Sequence, residues 1–170
     1  AGHQLGPTHS HSWEALYLHV PGILVAVPST PADAKGMLKA AIRDENPVVF
    51  IEHEYLYGQR GEVPDDEDHI VPFGKAAIRR EGADVTIVGI SRMAVTAERA
   101  AAQLAEQHEI EAEVIDPRTL RPLDLDTILA SVRKTNRAVV VEEGWEVCGV
   151  GAQVVDYVQR HCFDDLDAPI

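Results

Sequence analysis

Short runs of almost purely apolar residues constrain this chain most strongly. They lie at residues 23–27, 48–51, 85–90 and 138–141, and several are rich in valine and isoleucine. Each has the length of a strand and does not alternate with polar residues, which is typical of a strand covered on both faces. Stretches with helical periodicity separate these runs. The sequence therefore predicts open, mostly parallel α/β sheets with helices on both faces.

The first predicted unit is strand–helix–strand. Thr30 is the expected N-cap of its helix, Pro31 suits the first helical position, and Asp33 mimics the acidic residue of a capping box. Asn46-Pro47 ends the helix before the second strand. The apolar stripe of the helix comprises Ala34, Met37, Leu38, Ala41 and Ile42.

A second α/β pattern begins at Asp84. Strands are predicted at 85–90, 112–116 and 138–143, and helices at 94–107, 124–133 and after Gly149-Val150-Gly151. Ser91 is the expected cap of the first of these helices. The stretch between the two patterns is predicted to be loop and acidic surface. Its backbone is expected to be extended, at most, over residues 70–76. Two domains are thus expected, residues 1–57 and 83–170, joined by a linker over residues 58–82.

Composition excludes two classes of partner. The net charge of the 170 residues is −13 and no basic run exists, which argues against nucleic-acid binding. No segment approaches the ~20 apolar residues of a membrane span. Cys148 and Cys162 are too few and too far apart for a disulfide framework or a zinc site. A reducing compartment follows, with both thiols packed or inert.

The opening turn, Gly6-Pro7 and the five residues after it, leads into a predicted helix. One of its hydroxyl residues should cap that helix by accepting a backbone N–H; the candidates are Thr8, Ser10 and Ser12. Helical spacing of four apolar residues predicts one buried face; these are Trp13, Leu16, Tyr17 and Val20.

His9 and His11 stand at the entry of this helix, where backbone N–H groups favour negative charge. An imidazole there can project into a cleft, so the pair is a candidate site. The alternative is a metal site, which two histidines support only weakly. Its further ligands would have to come from His3, His19 or Glu14.

Three other groups are weaker candidates. Glu52-His53-Glu54 follow a buried strand and suggest acid–base chemistry, but solvated charges at a strand end are the favoured interpretation. Gly149-Val150-Gly151 resembles a phosphate-binding turn without its third glycine. Arg118 and Arg121 could bind anions in a loop, although pairing with Asp116 and Asp124 is the simpler alternative.

Several stretches follow one another in a familiar order along nearly the whole chain. They are residues 6–25, 33–36, 41–47, 52–58, 84–88, 116–124, 134–137, 141–145, 149–152 and 166–169. Together they resemble the β subunits of thiamine-dependent 2-oxoacid dehydrogenases, with pyruvate dehydrogenases the nearest match. The resemblance implies a partial pyrimidine-binding domain followed by a partial transketolase-type C-terminal domain.

The resemblance implies an activity and partners. Thiamine diphosphate would lie between this subunit and an α subunit that binds the diphosphate and Mg²⁺, in an α₂β₂ assembly. The reaction would be oxidative decarboxylation of pyruvate, with acetyl transfer to lipoamide on a dihydrolipoyl acyltransferase core. The compartment would be the bacterial cytoplasm or, alternatively, the mitochondrial matrix. A branched-chain 2-oxoacid or acetoin dehydrogenase β subunit and a non-catalytic assembly module are the rival interpretations.

The resemblance also assigns roles to residues. His9 matches the active-site histidine, which would steer the substrate or lipoyl arm and move a proton during acyl transfer. His11 stands where the family commonly has glutamine and receives no role. No cofactor-binding residue is assigned, because the pyrimidine-activating glutamate belongs to the preceding half-domain. The chain is therefore expected to be an internal fragment that is inactive alone.

Two further sites are implied by the resemblance. A potassium loop matches at the end of the first long helix, where terminal carbonyls lack partners; a plain helix stop is the alternative. Asp167 would lie on a face that docks the acyltransferase. The residues of the potassium loop are Ala41, Ile42, Asp44 and Asn46.

Overall fold

Two open sheets organise the computed structural model, which describes residues 6–170. A three-stranded sheet has the order β2-β1-β6, and a four-stranded sheet has the order β3-β5-β4-β7. The strands are β1 Leu24–Ala26, β2 Val48–Phe50, β3 Ala77–Arg80, β4 Val85–Gly89, β5 Ala112–Asp116, β6 Thr119–Arg121 and β7 Ala138–Val141. The helices are α1 Glu14–Leu18, α2 Pro31–Arg43, α3 Arg92–His108, α4 Leu125–Thr135 and α5 Val150–Cys162.

The first sheet contains the predicted strand–helix–strand unit. β1 and β2 pair in parallel, with Leu24 opposite Val48, and α2 connects them. The Thr30 side chain accepts the Asp33 N–H at 3.1 Å, which confirms the predicted cap. The capping box is incomplete, because the Asp33 carboxylate accepts the Thr30 hydroxyl and an Arg118 N–H instead of the Thr30 backbone N–H. Of the predicted apolar stripe, Met37 alone is fully buried.

The second sheet confirms the doubly wound prediction. β5, β4 and β7 are parallel neighbours, and β3 runs antiparallel at the edge. α3 covers one face, where Ile87 and Val114 pack against its alanines. α4 and α5 cover the other face over Val88 and Ile115. The carboxyl ends of β4 and β7 thus lie together, on one edge.

Two strands were not predicted from the sequence. Ala77–Arg80 lies inside the stretch interpreted as a linker and forms the edge strand β3. Thr119–Arg121, predicted as a loop, forms β6 and pairs antiparallel with β1 of the other sheet. β6 therefore carries a segment of the second α/β unit into the first sheet. The division into domains and linker stays a prediction.

The entry helix α1 differs from its prediction. It begins after Trp13 and has no side-chain cap, so Thr8, Ser10 and Ser12 do not serve as caps. Only five residues long, it turns Tyr17 towards the core cluster that contains Val25 and Val27. The prediction of a buried face is otherwise wrong, because three of its four predicted members are exposed. These are Trp13, Leu16 and Val20.

Three further predictions concern the cap of α3, the two cysteines and membrane-spanning helices. Ser91 occupies the N-cap position of α3 at φ 55°, but its side chain makes no capping hydrogen bond. Both cysteines are free, as predicted; Cys162 is buried, and burial raises the pKa of its thiol, whereas Cys148 is exposed and not packed. Between residues 6 and 170, no helix is long and apolar enough to cross a membrane.

Candidate active-site cleft

A cleft of about 210 Å³ opens where β2 ends, between the entry loop of α1 and the start of α3. Ligands of open α/β sheets bind at this kind of position, beyond the carboxyl ends of strands. The cleft brings the two predicted groups, the entry histidines and the 52–54 cluster, into one site. Its lining consists of Thr8, His9, His11, Trp13, Glu14, Ile51, Glu52, His53, Glu54 and Ser91.

His9 presents an accessible imidazole to this cleft. The residue is exposed, and its backbone N–H donates to the Gly6 carbonyl at 3.5 Å. Within residues 6–170 its ring has no hydrogen-bond partner. The ring of His11 instead lies against Trp13, with centroids 4.6 Å apart. His9 is therefore the entry histidine that can reach a bound molecule most freely.

His53 is held far more firmly than a solvated strand-end charge. Its Nε2 lies 2.5 Å from Glu143 Oε2, and its Nδ1 accepts the Tyr55 N–H at 3.2 Å. The side chain is only 10% exposed. Arg92 donates to the other oxygen of Glu143 at 2.9 Å, and its guanidinium lies 4.6 Å above the Tyr55 ring. The favoured sequence interpretation of His53 is wrong.

Carboxylates give the cleft a negative wall. Burial raises the pKa of Glu14, and the nearby Glu142 carboxylate raises it further. Glu52 accepts the Tyr57 hydroxyl at 3.3 Å, and its charge raises the pKa of that phenol. Such a wall repels phosphate oxygens, so these residues do not fit the diphosphate of a thiamine cofactor.

The metal-site alternative finds no support in this geometry. Within residues 6–170, no three His, Cys, Asp or Glu side chains are arranged to hold a metal ion. His19 and Glu14 were the candidate ligands in that range, and His3 lies outside the described residues.

Two family models match the sequence of the chain. The model described as "Transketolase, pyrimidine binding domain" matches residues 1–59, and "Transketolase, C-terminal domain" matches residues 74–170. The second model alone spans more than half of the chain.

The chain belongs to the transketolase family.

Two pyruvate dehydrogenase subunits are similar in sequence to this transketolase-family chain. The pyruvate dehydrogenase E1 component subunit beta of Rhizobium meliloti is 49% identical over 170 residues, which are 100% of this chain and 37% of the relative. The mitochondrial subunit of the same name from Dictyostelium discoideum is 48% identical, over 98% of this chain and 47% of its own. The resemblance identified from the sequence is confirmed.

Other relatives widen the comparison. The acetoin:2,6-dichlorophenolindophenol oxidoreductase subunit beta of Bacillus subtilis is 46% identical over 100% of this chain and 49% of its own length. A solved structure of a split-gene transketolase, an inactive beta4 tetramer, matches with a TM-score of 0.73 and 31% identity, over 88% of this chain and 48% of that one. The chain thus spans half or less of the length of these relatives.

The residues predicted to form a potassium loop lie at the carboxyl end of α2 and in the turn that follows it. Asn46 donates both its backbone N–H, at 2.8 Å, and its side-chain amide, at 2.9 Å, to Asp44 Oδ1. These two hydrogen bonds lower the pKa of Asp44. Asp44 therefore stays ionised and keeps one oxygen, Oδ2, outside this turn. The four-residue potassium site, with Ala41 and Ile42, stays a prediction.

Asp167 is exposed near the carboxyl end of the chain. Its carboxylate pairs with Arg137 at 3.0 Å, and its backbone N–H donates to the Asn136 carbonyl at 2.9 Å. The structure thus places it on an accessible surface with an ion-pair partner. Its docking role stays a prediction.

Two smaller sequence interpretations are corrected. The Arg118 guanidinium is engaged within the chain and does not pair with Asp116 or Asp124; it lies 3.1 Å from Asp33 and donates to the carbonyls of residues 75 and 76. Only the backbone N–H of Arg118 bonds to Asp116, at 2.9 Å. Arg121 donates to the Val20 carbonyl at 2.8 Å. Both arginines join the two α/β units, because β6 brings them to the first sheet.

The backbone N–H groups of the turn at Gly149-Val150-Gly151 are bound by a side chain of the protein itself. Glu142 accepts the backbone N–H of Val150 at 3.2 Å and of Gly151 at 2.7 Å. A Cβ on Gly149 would lie 2.5 Å from the same carboxylate. The glycines therefore allow close packing of α5 on the sheet, and a carboxylate occupies the position a phosphate would need.

Glu143 and Arg92 are the site residues that the sequence did not reveal. Both follow strands, after β7 and β4 respectively, so their position at strand ends was the available signal. Their link to His53 depends on the packing of one sheet against the other, which no local pattern encodes.

Proposed function

We propose that the chain forms part of the β subunit of a thiamine diphosphate-dependent pyruvate dehydrogenase component. The observation that carries the proposal is 48–49% identity to subunits of this name over 98–100% of the chain. The cleft adds a site of suitable kind, since it presents an accessible imidazole beyond the end of a parallel strand.

The proposed reaction consumes pyruvate, one proton and the oxidised disulfide of lipoamide, and it releases CO₂ and S-acetyldihydrolipoamide. The C1–C2 bond of pyruvate breaks, the keto carbon is oxidised to a thioester, and the disulfide is reduced. Bound thiamine diphosphate supplies the electron sink for loss of CO₂. His9 would guide the lipoyl arm and deliver the proton to the sulfur released from the disulfide, because an imidazole carries protons near neutral pH.

The proposal also includes an α subunit, a potassium ion, an acyltransferase core and a cellular compartment. The negative wall of the cleft supports a diphosphate and Mg²⁺ site on a separate α subunit rather than on these residues. Potassium would be held by the turn of Asp44 and Asn46 with the carbonyl ends of α2. Asp167 would face the acyltransferase core. An α₂β₂ assembly in the bacterial cytoplasm is proposed, with the mitochondrial matrix as the alternative compartment.

A second candidate is an acetoin dehydrogenase β subunit, which the 46% identity to the Bacillus subtilis protein supports. A branched-chain 2-oxoacid dehydrogenase subunit and a non-catalytic assembly module are the remaining candidates.

Turnover by the full-length protein, assembled with its α partner, thiamine diphosphate and Mg²⁺, tests the proposal. Pyruvate, branched-chain 2-oxoacids and acetoin are compared. We expect pyruvate to be preferred. Preference for acetoin or branched substrates would move the assignment to those families. No turnover by a cofactor-loaded complex would favour the assembly module.

The role of His9 is tested in the same system. His9→Ala should slow acetyl transfer to lipoamide about 100-fold, as expected on losing a proton donor. Decarboxylation measured with an artificial electron acceptor should change far less. His19→Ala removes another exposed histidine, from the end of α1, and serves as the matched control. Equal loss of both activities in His9→Ala would contradict the proton-transfer role.

A further inference from the structure

Four residues form a closed ring of contacts behind the cleft. His53 bonds to Glu143, Glu143 to Arg92, Arg92 stacks on Tyr55, and the Tyr55 N–H returns to His53. We call this set the His53 clamp. His53 and Tyr55 follow β2 of the first sheet, whereas Arg92 and Glu143 follow β4 and β7 of the second. The clamp therefore ties the two sheets together at the edge that bears the cleft.

The hydrogen bonds fix the proton on the imidazole. Nδ1 accepts a backbone N–H, so it carries no proton, and Nε2–H donates to Glu143. Both ring nitrogens are thus engaged and neither is available to a substrate. Glu143 is 18% exposed and receives donors on each oxygen, so it is fully used by the clamp. Carboxylate–imidazole pairs of this kind hold a ring in one tautomer and orientation.

We propose that His53 is a positioning residue of the cleft, and that Glu143 and Arg92 of the second α/β unit act on the cleft through it. His53 lines the cleft together with its neighbours Glu52 and Glu54, and Ser91, which precedes Arg92 at the start of α3, lines it too. The clamp thus sets the distance between the wall that bears His53 and the start of α3. This inference rests on the proposed function only for its activity readout.

His9 and His53 consequently have different roles in one cleft. His9 has a ring with no hydrogen-bond partner within residues 6–170 and can exchange protons with a bound molecule. His53 has two partners and holds the geometry. A shift of about 1 Å in a positioning group can cost up to 100-fold in rate.

The kinetic test uses the full-length protein with its α partner. A glutamine amide reaches the place of Nε2 and can donate to Glu143, so His53→Gln should stay within about threefold of wild-type kcat/KM. His53→Ala and Glu143→Ala should each lose about tenfold, without losing a limb of the pH–rate profile. Glu146→Ala, an exposed carboxylate in the same loop, is the matched control and should not change the rate.

The rate of chemical modification of His53 tests the clamp without any measurement of catalytic turnover. Diethyl pyrocarbonate modifies unprotonated, accessible imidazole nitrogens, and mass spectrometry assigns each modified histidine. His53 should react slowly in the wild type and about tenfold faster in Glu143→Ala, but not in Glu146→Ala. A wild type that turns over no 2-oxoacid would reject the proposed function while this readout still tests the clamp.

Three results would overturn the inference. His53→Gln as inactive as His53→Ala, with a lost limb of the pH profile, would make His53 a proton-transfer group. Unchanged kcat/KM in both His53→Ala and Glu143→Ala would remove any positioning role. Fast modification of His53 in the wild type would show that the clamp leaves the unprotonated ring nitrogen accessible and does not hold the imidazole in place. Glu143→Met, which removes both acceptor oxygens at nearly the same side-chain volume, replaces Glu143→Ala if the latter does not fold.

Discussion

Asp116 carries a carboxylate that is fully enclosed where the two sheets meet. The Ser29 hydroxyl donates to its Oδ2, and the Arg118 N–H donates to Oδ1 at 2.9 Å. Burial raises the pKa of Asp116 from 3.8 to about 6, the two hydrogen bonds oppose that rise, and the neighbouring Asp33 charge adds to it. The folded chain therefore holds a charge that would be more stable in water.

The raised pKa of Asp116 predicts how stability depends on pH. Between pH 3.8 and about 6 the folded state binds the extra proton, so the free energy of unfolding falls as pH rises through this range. The full penalty, about 3 kcal/mol for a rise of two pKa units, is present above it. Asp116→Asn should raise the free energy of unfolding at pH 7.5 by up to that amount and remove this part of the pH dependence.

Urea unfolding of the full-length protein at pH 4.5 and 7.5 measures both effects. Asp65→Asn, an exposed carboxylate in the loop between the two units, is the control and should change neither. An Asp116→Asn protein that is less stable at pH 7.5 and keeps the wild-type pH dependence would show that the charge is stabilising.

Among the elements, α5 begins without a cap from its own sequence. Its N-cap residue is Gly149, and Glu142 at the end of β7 accepts two N–H groups of the first turn instead. Glu142→Ala should lower the free energy of unfolding by about 1–2 kcal/mol, the usual cost of a lost cap. Glu142→Gln should cost less, because the amide keeps one acceptor but loses the charge at the helix end.

Urea midpoints at low and high salt distinguish these two contributions of Glu142. The charge contribution should shrink with added salt, whereas the hydrogen-bond contribution should persist. Glu146→Ala controls for changes in the loop itself. Equal stability of Glu142→Ala and the wild type would mean that water caps α5 as well as the carboxylate does.

The elements also show what the sequence could predict. β4 and β7 were predictable because buried parallel strands are almost uniformly apolar. β5 was predicted from its place in the α/β alternation, although it carries Glu113 and Asp116. β3 was missed because its residues Arg79 and Arg80 give an edge strand a polar signature, and β6 because its partner β1 is distant in sequence. His53 was misjudged for the same reason: Glu143 is 90 residues away. His9 was a candidate from its position at the entry of a predicted helix, and its role, which the resemblance implies, stays a prediction.

Over the whole molecule, contacts of three kinds join the two α/β units. β6 pairs with β1, Arg118 pairs with Asp33, and His53 with Glu143. These links are polar, and the one made by His53 borders the cleft. An apolar cluster crosses between the units as well, since Val25 and Val27 of the first unit pack with Ile90 and Val150 of the second. The molecule is therefore held together at the interface of its sheets by directed polar bonds and by this shared apolar cluster, while two further cores lie within the second unit.

One surface remains strongly apolar. Trp145 is 82% exposed and Val147 76%, beside a groove of about 230 Å³ that α1 and the start of α5 line. Exposed apolar groups clustered at a groove mark an interaction surface. Under the proposed function, a neighbouring subunit covers it. Because aromatic anchors dominate such interfaces, Trp145→Glu should weaken assembly of the full-length protein at least tenfold.

Sedimentation velocity of the full-length protein with its α partner measures this, while circular dichroism checks that the exposed substitution leaves the fold intact. Phe163→Glu is the matched control: it is 69% exposed but follows the far end of α5, about 20 Å along the helix. Assembly should survive Phe163→Glu and fail in Trp145→Glu. Equal weakening by both would place the interface elsewhere, since the two side chains cannot share one compact contact; no weakening by Trp145→Glu would leave this groove on the outer surface of the assembly.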